Sequence, residues 1–272
     1  MIIGITGHKG ILAKSIINFF KKSKKTGYKI SLYKHNVLHF RKLEKWLKKV
    51  DIIVHLAAVT SINQVNKNKN YAKKVNFNAT KSLVKLLNNS NSNKKLIFIS
   101  SSHVYLSSKN RLTERSDLKP ISYYGKLKIW SEKEITNNLS NYIIVRLFSY
   151  YSKKQSKDFL IPSVIEKIKN SKGKKLRIKN YNHIRDISSV EYVSKQISNL
   201  IFSDYNGIIN CGSGKGLTIK KIGEKIAAIK FNKKITFDKR FQTREITKLV
   251  CNNSKLKEIT GIKDEDDLFK FL

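Results

Sequence analysis

The chain begins "MIIGITGHKGILAKSI", residues 1–16, in which an apolar run meets a glycine turn. The run is rich in β-branched residues, as in a buried strand, while the apolar positions after the turn follow helical spacing. Gly7 permits a sharp turn, and Gly10 lets the backbone approach a pyrophosphate closely at the positive end of the new helix. Ala13 is small enough for the helix to pack closely on the strand. The segment therefore predicts a strand, a phosphate-binding turn and a helix.

The rest of the chain repeats this alternation of apolar strands and longer helical segments. Further strands are predicted at "YKISLY" (28–33), "DIIVHLAA" (51–58), "KLIFISS" (95–101), "NYIIVRLF" (141–148), "GIINC" (207–211) and "KITF" (234–237). Because continuous apolar runs are typical of a parallel sheet covered on both faces, we expect an α/β protein with a doubly wound, Rossmann-like parallel sheet. We assign 1–150 to a dinucleotide-binding domain. The shorter elements of 151–272 predict mainly a small C-terminal α/β substrate lobe, from which part of the chain returns to the sheet.

The 272 residues include 56 Lys and Arg against 19 Asp and Glu, a net charge of +37. The lysines are spread over nearly every predicted element and form no local basic stripe, which favours compositional drift over a nucleic-acid surface. No apolar run predicts a membrane span and no secretory signal pattern is present, so we expect a cytoplasmic protein. Two distant cysteines, Cys211 and Cys251, predict neither a metal site nor a disulfide.

The end of the second predicted strand bears on the choice of cofactor. In a dinucleotide-binding fold an Asp or Glu at this point accepts a hydrogen bond from the adenosine ribose and excludes a phosphate there. The sequence here is "SLYKHN", residues 31–36, which contains no acid. A cationic Lys34 beside the ribose favours NADP, although NAD stays possible.

A serine, a tyrosine and a lysine follow the fourth predicted strand. Ser101 ends that strand, and Tyr124 and Lys128 lie four positions apart on one face of the next predicted helix. Because ligands bind at the carboxyl ends of parallel strands, Ser101 is expected beside the other two. An ammonium near a phenol favours the phenolate, so we expect Lys128 to move the pKa of Tyr124 towards neutrality. Such a group can exchange a proton with an alcohol or a carbonyl.

Six further motifs are informative when they are taken together with the glycine turn. They are "VNFNAT" (75–80), "SSHVY" (101–105), "YYGKLK" (123–128), "RLFSYY" (146–151), "RDISSVEYV" (185–193) and "NCGSGKGLTI" (210–219). In these motifs the chain resembles the extended short-chain dehydrogenase/reductase family, in its branch of nucleotide-sugar epimerases, dehydratases and reductases. The resemblance covers nearly the whole length. It implies a nicotinamide cofactor, a nucleotide-sugar substrate, and catalysis by Tyr124 and Lys128 with Ser101 as their partner.

The resemblance also implies which residues contact each ligand. Besides Lys34, Tyr124 and Lys128, the expected cofactor contacts are Gly7, Lys9, Gly10, Ile11, Leu12, Leu56, Ala57, Ala58 and Asn76. The expected substrate contacts are Ser102, His103, Ser149, Arg185 for the diphosphate, and Arg240 or Arg244, with Arg244 as the candidate, for a second phosphate contact. Ser149 replaces the usual Asn of this family, so its sugar contacts differ. Ser102 and His103 replace an acidic pair of dehydratases, which argues against a 4,6-dehydratase.

These features favour an NAD(P)-dependent enzyme that reduces a 4-keto sugar carried on a nucleoside diphosphate, with Tyr124 transferring the proton. A nucleotide-sugar 4-epimerase with retained NAD is the first alternative, since it uses the same residues. A second alternative, from another class, is a catalytically idle dehydrogenase-like protein that binds RNA or acts as a scaffold through its positive charge. We further expect a homodimer, as in relatives, with no metal, no membrane partner and no nucleic acid.

Overall fold

Six parallel strands form the central sheet of the computed structural model, which describes residues 1–23, 26–90, 93–171, 175–262 and 266–272. The strands are β1 (Ile2–Thr6), β2 (Lys29–Leu32), β3 (Ile52–His55), β4 (Lys95–Ser101), β5 (Tyr142–Leu147) and, from the second half of the chain, β8 (Gly207–Cys211). Their order is β2-β1-β3-β4-β5-β8, and every neighbouring pair is parallel. The predicted doubly wound, Rossmann-like fold is therefore confirmed.

Helices connect the strands and cover both faces of the sheet. In the first half they are α1 (Ile11–Lys22), α2 (Phe40–Leu47), α3 (Ile62–Lys67), α4 (Lys69–Lys73), a π-helical turn (Lys74–Asn78), α5 (Ala79–Asn89), a 3₁₀ turn (Ser102–Val104) and α6 (Tyr123–Asn138). In the second half they are α7 (Leu160–Lys169), α8 (Val190–Ile201), α9 (Ile219–Phe231), α10 (Ser254–Thr260) and two 3₁₀ turns (Lys239–Phe241 and Leu268–Phe271). None of the helices within the described ranges has the length and apolarity needed to cross a membrane.

The inner strands are mostly apolar because the sheet is buried on both sides. Successive residues of β3 illustrate this: Ile53 packs with the helices of one face, and Val54 packs into the core on the other face. Both side chains are inaccessible to solvent. Ala13 is likewise buried between α1 and the sheet, as its small size predicts. This two-sided burial is why the strand runs lack polar alternation.

A second, smaller sheet belongs to the C-terminal half. It contains β6 (Ser149–Tyr151), β7 (Ile184–Ser189) and β10 (Lys248–Leu249) in the order β10-β7-β6, with β9 (Gly216–Thr218) antiparallel to β7. Helices α7 and α9 pack with this sheet around a separate apolar cluster that includes Val164, Ile187 and Ile222. The segment predicted as a strand at 234–237 makes only an isolated bridge, from Phe237 to Leu176. β6 follows β5 directly, so the smaller sheet adjoins the end of the main sheet where β4 and β5 finish.

Asp186 connects the two halves at this junction. Its carboxylate accepts hydrogen bonds from the backbone N–H groups of Ser213, Gly214 and Cys251, at 2.8 to 3.1 Å, and from the Ser213 hydroxyl at 2.6 Å. Burial raises the pKa of this carboxyl and the hydrogen bonds oppose that rise. The residue thus holds the loop after β8 against β7, and its oxygens are occupied by the protein itself.

Candidate active site

A cleft of about 1110 Å³ lies at the carboxyl ends of the central strands. It extends from the turn after β1, past the ends of β3 and β4, to the residues that follow β5 and to β7 of the smaller sheet. The connections reverse direction between β1 and β3, and ligands bind at such a switch point in open α/β sheets. The volume suits a dinucleotide together with a second ligand.

The glycine turn forms one end of the cleft. Gly7 has φ +68°, and a Cβ there would lie 2.7 Å from the backbone nitrogen of Ala57. The Gly10 N–H donates to the Gly7 carbonyl at 2.9 Å and closes the turn. No side chain caps α1 and no acid lies in its first turn. With Lys9, Ile11 and Leu12 also lining the cleft, this turn has the backbone donors and positive dipole that fit a pyrophosphate.

The end of the cleft beside β2 is basic and polar. Lys34, His35 and Asn36 line it after β2, and Lys34 is exposed. Tyr33 is buried beneath them and donates to the carbonyl groups of Asn36 and His39, both at 3.2 Å, which shapes the loop. Because no carboxylate follows β2, nothing in this loop opposes a phosphate on the ribose.

The residues after β3 form the neighbouring wall. Leu56, Ala57 and Ala58 all line the cleft, as expected. Asn76 does not: it is almost fully buried, its Oδ1 accepts from the Val59 N–H at 2.7 Å, and its Nδ2 donates to the Val59 carbonyl at 2.8 Å. The expectation that Asn76 contacts the cofactor is therefore corrected. Its amide is used in holding the loop after β3, so it shapes the cleft wall from behind.

Ser101, Tyr124 and Lys128 meet at the floor of the cleft. β4 ends at Ser101, while Ser122 caps α6 by accepting from the Gly125 N–H at 3.1 Å and so starts the helix one residue before Tyr124. The Ser101 side chain lies close enough to the Tyr124 phenol to lower its pKa. The strand end and the first helical turn thus bring together residues that are distant in sequence, as the sequence predicts.

Lys128 lies one turn further along α6 and is only 4% exposed. Its Nζ donates to the Ile99 carbonyl at 2.6 Å and lies 4.7 Å from the centroid of the Phe98 ring and 5.7 Å from that of Tyr124. Burial lowers the pKa of Lys128 to about 8, and the charge of Glu132 acts in the opposite direction. The ammonium therefore lies close to the phenol, but its hydrogen bond goes to the backbone of β4.

The pKa of Tyr124 differs from the sequence-based expectation in direction. Burial raises it above its ordinary value of 10.0, and the neighbouring Ser101 side chain only partly opposes that rise. Removing water from the phenolate costs more than the surrounding donors return. The expected shift towards neutrality is therefore wrong for this state of the protein. Tyr124 is held as the protonated phenol, poised to donate its proton.

The far side of the cleft carries the half-buried guanidinium of Arg185. Arg185 on β7 donates to the Thr247 carbonyl at 2.9 Å, to the Thr247 hydroxyl at 2.8 Å and to the Ile184 carbonyl at 2.8 Å. Among the described residues its partners are neutral, and burial lowers its pKa to about 10. Arg244, in contrast, is exposed and does not line the cleft, and Arg240 is paired with Asp238 at 2.7 Å. The structure thus brings Arg185 to the site and leaves the other two outside it.

The remaining expected substrate contacts all line the cleft. Ser102 is buried after β4, and Ser149 begins β6. The His103 ring lies edge-on to Tyr124, with 6.0 Å between centroids. Burial and the charge of Arg185 lower the pKa of His103 to about 4, so the imidazole is neutral near pH 7.

Tyr150, Gln155 and Asp158, from the segment after β5, also line the cleft and were not expected there. The Gln155 side-chain amide donates to the Tyr150 carbonyl at 3.1 Å, and the Tyr150 phenol acts electrostatically on Tyr124. Asp158 accepts from the Ser61 hydroxyl at 3.3 Å, linking this segment to the start of α3. The motif "RLFSYY" pointed to this region, but the position of the loop that follows depends on packing between the two halves.

Solved structures with the same architecture include a protein named RMD from Pseudomonas aeruginosa, complexed with NADPH, at a TM-score of 0.86 and 20% identity, over 99% of this chain and 95% of that one. The UDP-N-acetylglucosamine 4-epimerase of Methanobrevibacter ruminantium M1, in complex with UDP-N-acetylmuramic acid, gives 0.83 at 25% identity, over 99% and 94%. The UDP-glucose 4-epimerase of Thermotoga maritima, with UDP-glucose, gives 0.83 at 19% identity, over 100% and 96%.

A family model supplies the assignment at the level of sequence. It is described as the RmlD substrate binding domain and matches residues 1–185, which is more than half of the chain. The match spans the glycine turn, the floor of the cleft and Arg185. Sequence, fold and site agree with the resemblance noted from the motifs. The chain belongs to the RmlD substrate binding domain family, within the extended short-chain dehydrogenases/reductases that act on nucleotide sugars with NAD(P).

Proposed function

We propose that the protein is an NADP(H)-dependent reductase of a 4-keto sugar carried on a nucleoside diphosphate. The observation that carries this proposal is the meeting of Ser101, Tyr124 and Lys128 at the floor of the cleft that begins at the glycine turn. A proton donor, a hydrogen-bonding hydroxyl and a cation at one point are what carbonyl reduction requires of a protein. The cleft has room for cofactor and substrate together.

Tyr124 acts as the general acid. Because burial keeps its phenol protonated, it can donate to the sugar oxygen as negative charge develops there. The Ser101 hydroxyl, which lies beside Tyr124 in the cleft, is proposed to hold the same oxygen in line. When bound, the nicotinamide supplies the hydride in this direction and takes it up in the reverse direction. The protonated phenol is the reason that we favour reduction.

Lys128 stabilises the tyrosinate that remains after proton transfer. Its ammonium is fixed by the Ile99 carbonyl, so its charge acts on Tyr124 at low dielectric without reorganising. A hydrogen bond to the cofactor ribose is the second role proposed for Lys128, since it lines the cleft. The lysine therefore serves both binding and proton transfer.

The two ends of the cleft hold the two nucleotides. At the glycine turn, backbone N–H groups and Lys9 are proposed to bind the cofactor pyrophosphate, and Lys34 is proposed to bind a ribose phosphate, which makes NADP the preferred cofactor. At the other end, the Arg185 guanidinium has neutral partners and is proposed to bind the diphosphate of the sugar nucleotide.

A nucleotide-sugar 4-epimerase is the second candidate. The observation that favours it is the likeness to the Methanobrevibacter ruminantium epimerase at 25% identity. The same three residues would remove and return a proton, with NAD retained through the cycle. An RNA-binding or scaffolding role leaves the assembled trio of Ser101, Tyr124 and Lys128 and the half-buried Arg185 without a purpose, so we place it last.

The experiment that tests the proposal incubates the protein with NADPH or NADH and a panel of nucleotide sugars and their 4-keto derivatives. Loss of nicotinamide absorbance with a keto substrate supports the reductase. Inversion of a sugar without net cofactor change identifies the epimerase. Retention of RNA in a salt-dependent manner, with no turnover and no effect of Tyr124→Phe, would instead identify the binding protein.

A further inference from the structure

A buried ion pair lies directly behind the floor of the cleft. The Glu132 carboxylate on α6 accepts from the Arg146 guanidinium of β5 at 2.7 Å and 3.1 Å, and the two side chains are 5% and 3% exposed. The Ser100 hydroxyl donates to the other Glu132 oxygen. Both carboxylate oxygens therefore have strong donors, and the pair is locked between a helix and two strands.

The guanidinium is held from its other side as well. Arg146 donates to the Tyr105 hydroxyl at 3.0 Å and to the Glu114 carbonyl at 2.9 Å, and it lies 5.0 Å from the centroid of the Tyr105 ring. The Tyr105 hydroxyl in turn donates to Asn210 of β8 at 2.6 Å. The network reaches across three strands, so the carboxylate has a fixed position.

This carboxylate adjoins the catalytic trio on two sides. Glu132 lies one helical turn after Lys128 on α6, and its partner Ser100 precedes Ser101 on β4. A buried pair is seldom retained for stability, because apolar residues of similar volume are often as stable. The position of this pair suggests a role in the site.

The other groups around Lys128 cannot balance its charge. From β4 it receives the Ile99 carbonyl and the Phe98 ring, and from α6 the Tyr124 phenol. From β3 it faces His55, which burial keeps neutral at a pKa of about 3 and whose ring nitrogens bond Thr6 and Thr80. Among the described groups that act on Lys128, Glu132 is the anion.

We propose that Glu132, fixed by Arg146 and Ser100, is a positioning residue that keeps the Lys128 ammonium charged beneath the catalytic tyrosine. Arg146 faces Tyr105 and holds the carboxylate, while Glu132 acts on Lys128 along the helix. The importance of the charged ammonium rests on the proposed function, whereas the coupling of Glu132 to Lys128 is a property of the protein alone.

The coupling is tested by competitive labelling of amines across a pH series, read peptide by peptide with mass spectrometry. Only the neutral amine reacts, so the pH of half-maximal labelling reports the protonation of Lys128. We expect a midpoint near the pKa of about 8 in the unmodified protein. In Glu132→Gln the midpoint falls by about one pH unit or more, which raises labelling at pH 7 by about fivefold or more.

Two further variants make the labelling result decisive. Glu134→Gln removes a less buried carboxylate from the same helix and leaves the midpoint unchanged. The double variant Glu132→Gln, Arg146→Met leaves no unpaired guanidinium, so it folds even where the single variant does not. Its midpoint also falls. A midpoint for Lys128 that is equal in the double variant and in Glu134→Gln overturns the proposal.

The same variants are then assayed for keto-sugar reduction against pH. The alkaline loss of kcat moves to lower pH in Glu132→Gln with little change in KM, and Glu132→Asp restores part of the shift. If the unmodified protein shows no turnover, the proposed function fails, yet the labelling midpoints still decide whether Glu132 charges Lys128. If turnover occurs but the variants change neither the labelling midpoint nor the pH profile, the positioning role of Glu132 fails while the proposed function stands.

Discussion

The Ser101 side chain lies beside the Tyr124 phenol and opposes the rise in its pKa, across the boundary between the end of β4 and the first turn of α6. The two residues reach this contact because the strand ends and the helix starts at the same edge of the sheet. Ser101 is buried and Tyr124 is 8% exposed. The cleft therefore presents one small polar surface, on which a hydroxyl and a phenol lie side by side as hydrogen-bond donors.

Replacing this phenol tests the proton-transfer step. Tyr124→Phe keeps the ring but removes the proton, so turnover falls by about 100-fold to 10,000-fold while NADPH binding is kept. The control is Tyr123→Phe, whose ring packs on Trp130 at 6.2 Å between centroids and lies outside the cleft lining. Steady-state kinetics and cofactor fluorescence measure both. Comparable turnover in the two variants would remove Tyr124 from the mechanism.

The buried ammonium makes stability depend on pH. The pKa of Lys128 is lowered from 10.5 to about 8 on folding, so the unfolded chain binds more protons between these values and the unmodified protein gains stability as pH rises through them. Lys128→Met removes this charge, and we expect it to be about 2 kcal/mol more stable at pH 7. The gain shrinks towards pH 10.5.

Denaturant unfolding at pH 7 and pH 10 measures that change, with the exposed Lys126→Met as control. Lys126 lies on the outer face of the same helix. Its replacement leaves the difference in unfolding free energy between pH 7 and pH 10 the same as in the unmodified protein. A gain from Lys128→Met that is equal at both pH values means that folding does not lower the pKa of this lysine.

The glycine turn is expected to be sensitive to a single methyl group. Gly7→Ala places a Cβ 2.7 Å from the Ala57 nitrogen at a positive φ of +68°, so the turn must move. Gly27 has φ +80° but open space around it, and Gly27→Ala therefore measures the cost of the backbone conformation alone. We expect about 1 kcal/mol for Gly27→Ala, and for Gly7→Ala a larger loss together with weaker NADPH binding. If Gly7→Ala and Gly27→Ala lower the melting temperature and the affinity for NADPH equally, the close approach of position 7 to Ala57 is unimportant.

Arg185 and Arg244 are expected to differ in substrate binding. Arg185→Met leaves the diphosphate without its guanidinium and raises the Kd of a nucleoside diphosphate by about tenfold or more, with the Kd of NADPH unchanged. Arg244→Met changes neither, since that residue is exposed outside the cleft. Calorimetric titration with UDP and other nucleoside diphosphates measures both constants. The reverse pattern would assign the diphosphate to Arg244.

The preference for NADP is expected to depend on the loop after β2. Lys34→Glu places a carboxylate beside the adenosine ribose, where it repels a phosphate and accepts from a free hydroxyl. We expect the ratio of kcat/KM for NADPH over NADH to fall by at least tenfold. The control is Lys29→Glu, which makes the same change of charge on β2, before the loop that lines the cleft. An unchanged ratio would locate cofactor selection elsewhere.

The fold could be predicted because its signals are local. The apolar strands, the helical spacing between them and the glycine turn each determine structure within a few residues, and the parallel sheet follows from their alternation. The meeting of Ser101, Tyr124 and Lys128 in one cleft was predictable for a related reason. Tyr124 and Lys128 share one helix, and the end of a parallel strand places Ser101 at the same edge.

The features that the sequence did not reveal depend on contacts between distant segments. Glu132 and Arg146 look like ordinary charges in a basic chain until α6 packs on β5. Asn76 lies in a motif of the family, yet the π-helical turn directs its amide to Val59. Burial determines the direction in which the pKa of Tyr124 moves, and burial is set by the whole cleft. The homodimer stays a prediction, which light scattering can test.

Transfer of deuterium from C4-deuterated NADPH to a 4-keto nucleotide sugar tests the central claim most directly. The account predicts that deuterium appears at the reduced carbon of the sugar as the cofactor is oxidised, in the unmodified protein and not in Tyr124→Phe. Folded protein that binds the cofactor but transfers no deuterium from NADPH or NADH to any sugar of the panel would contradict it.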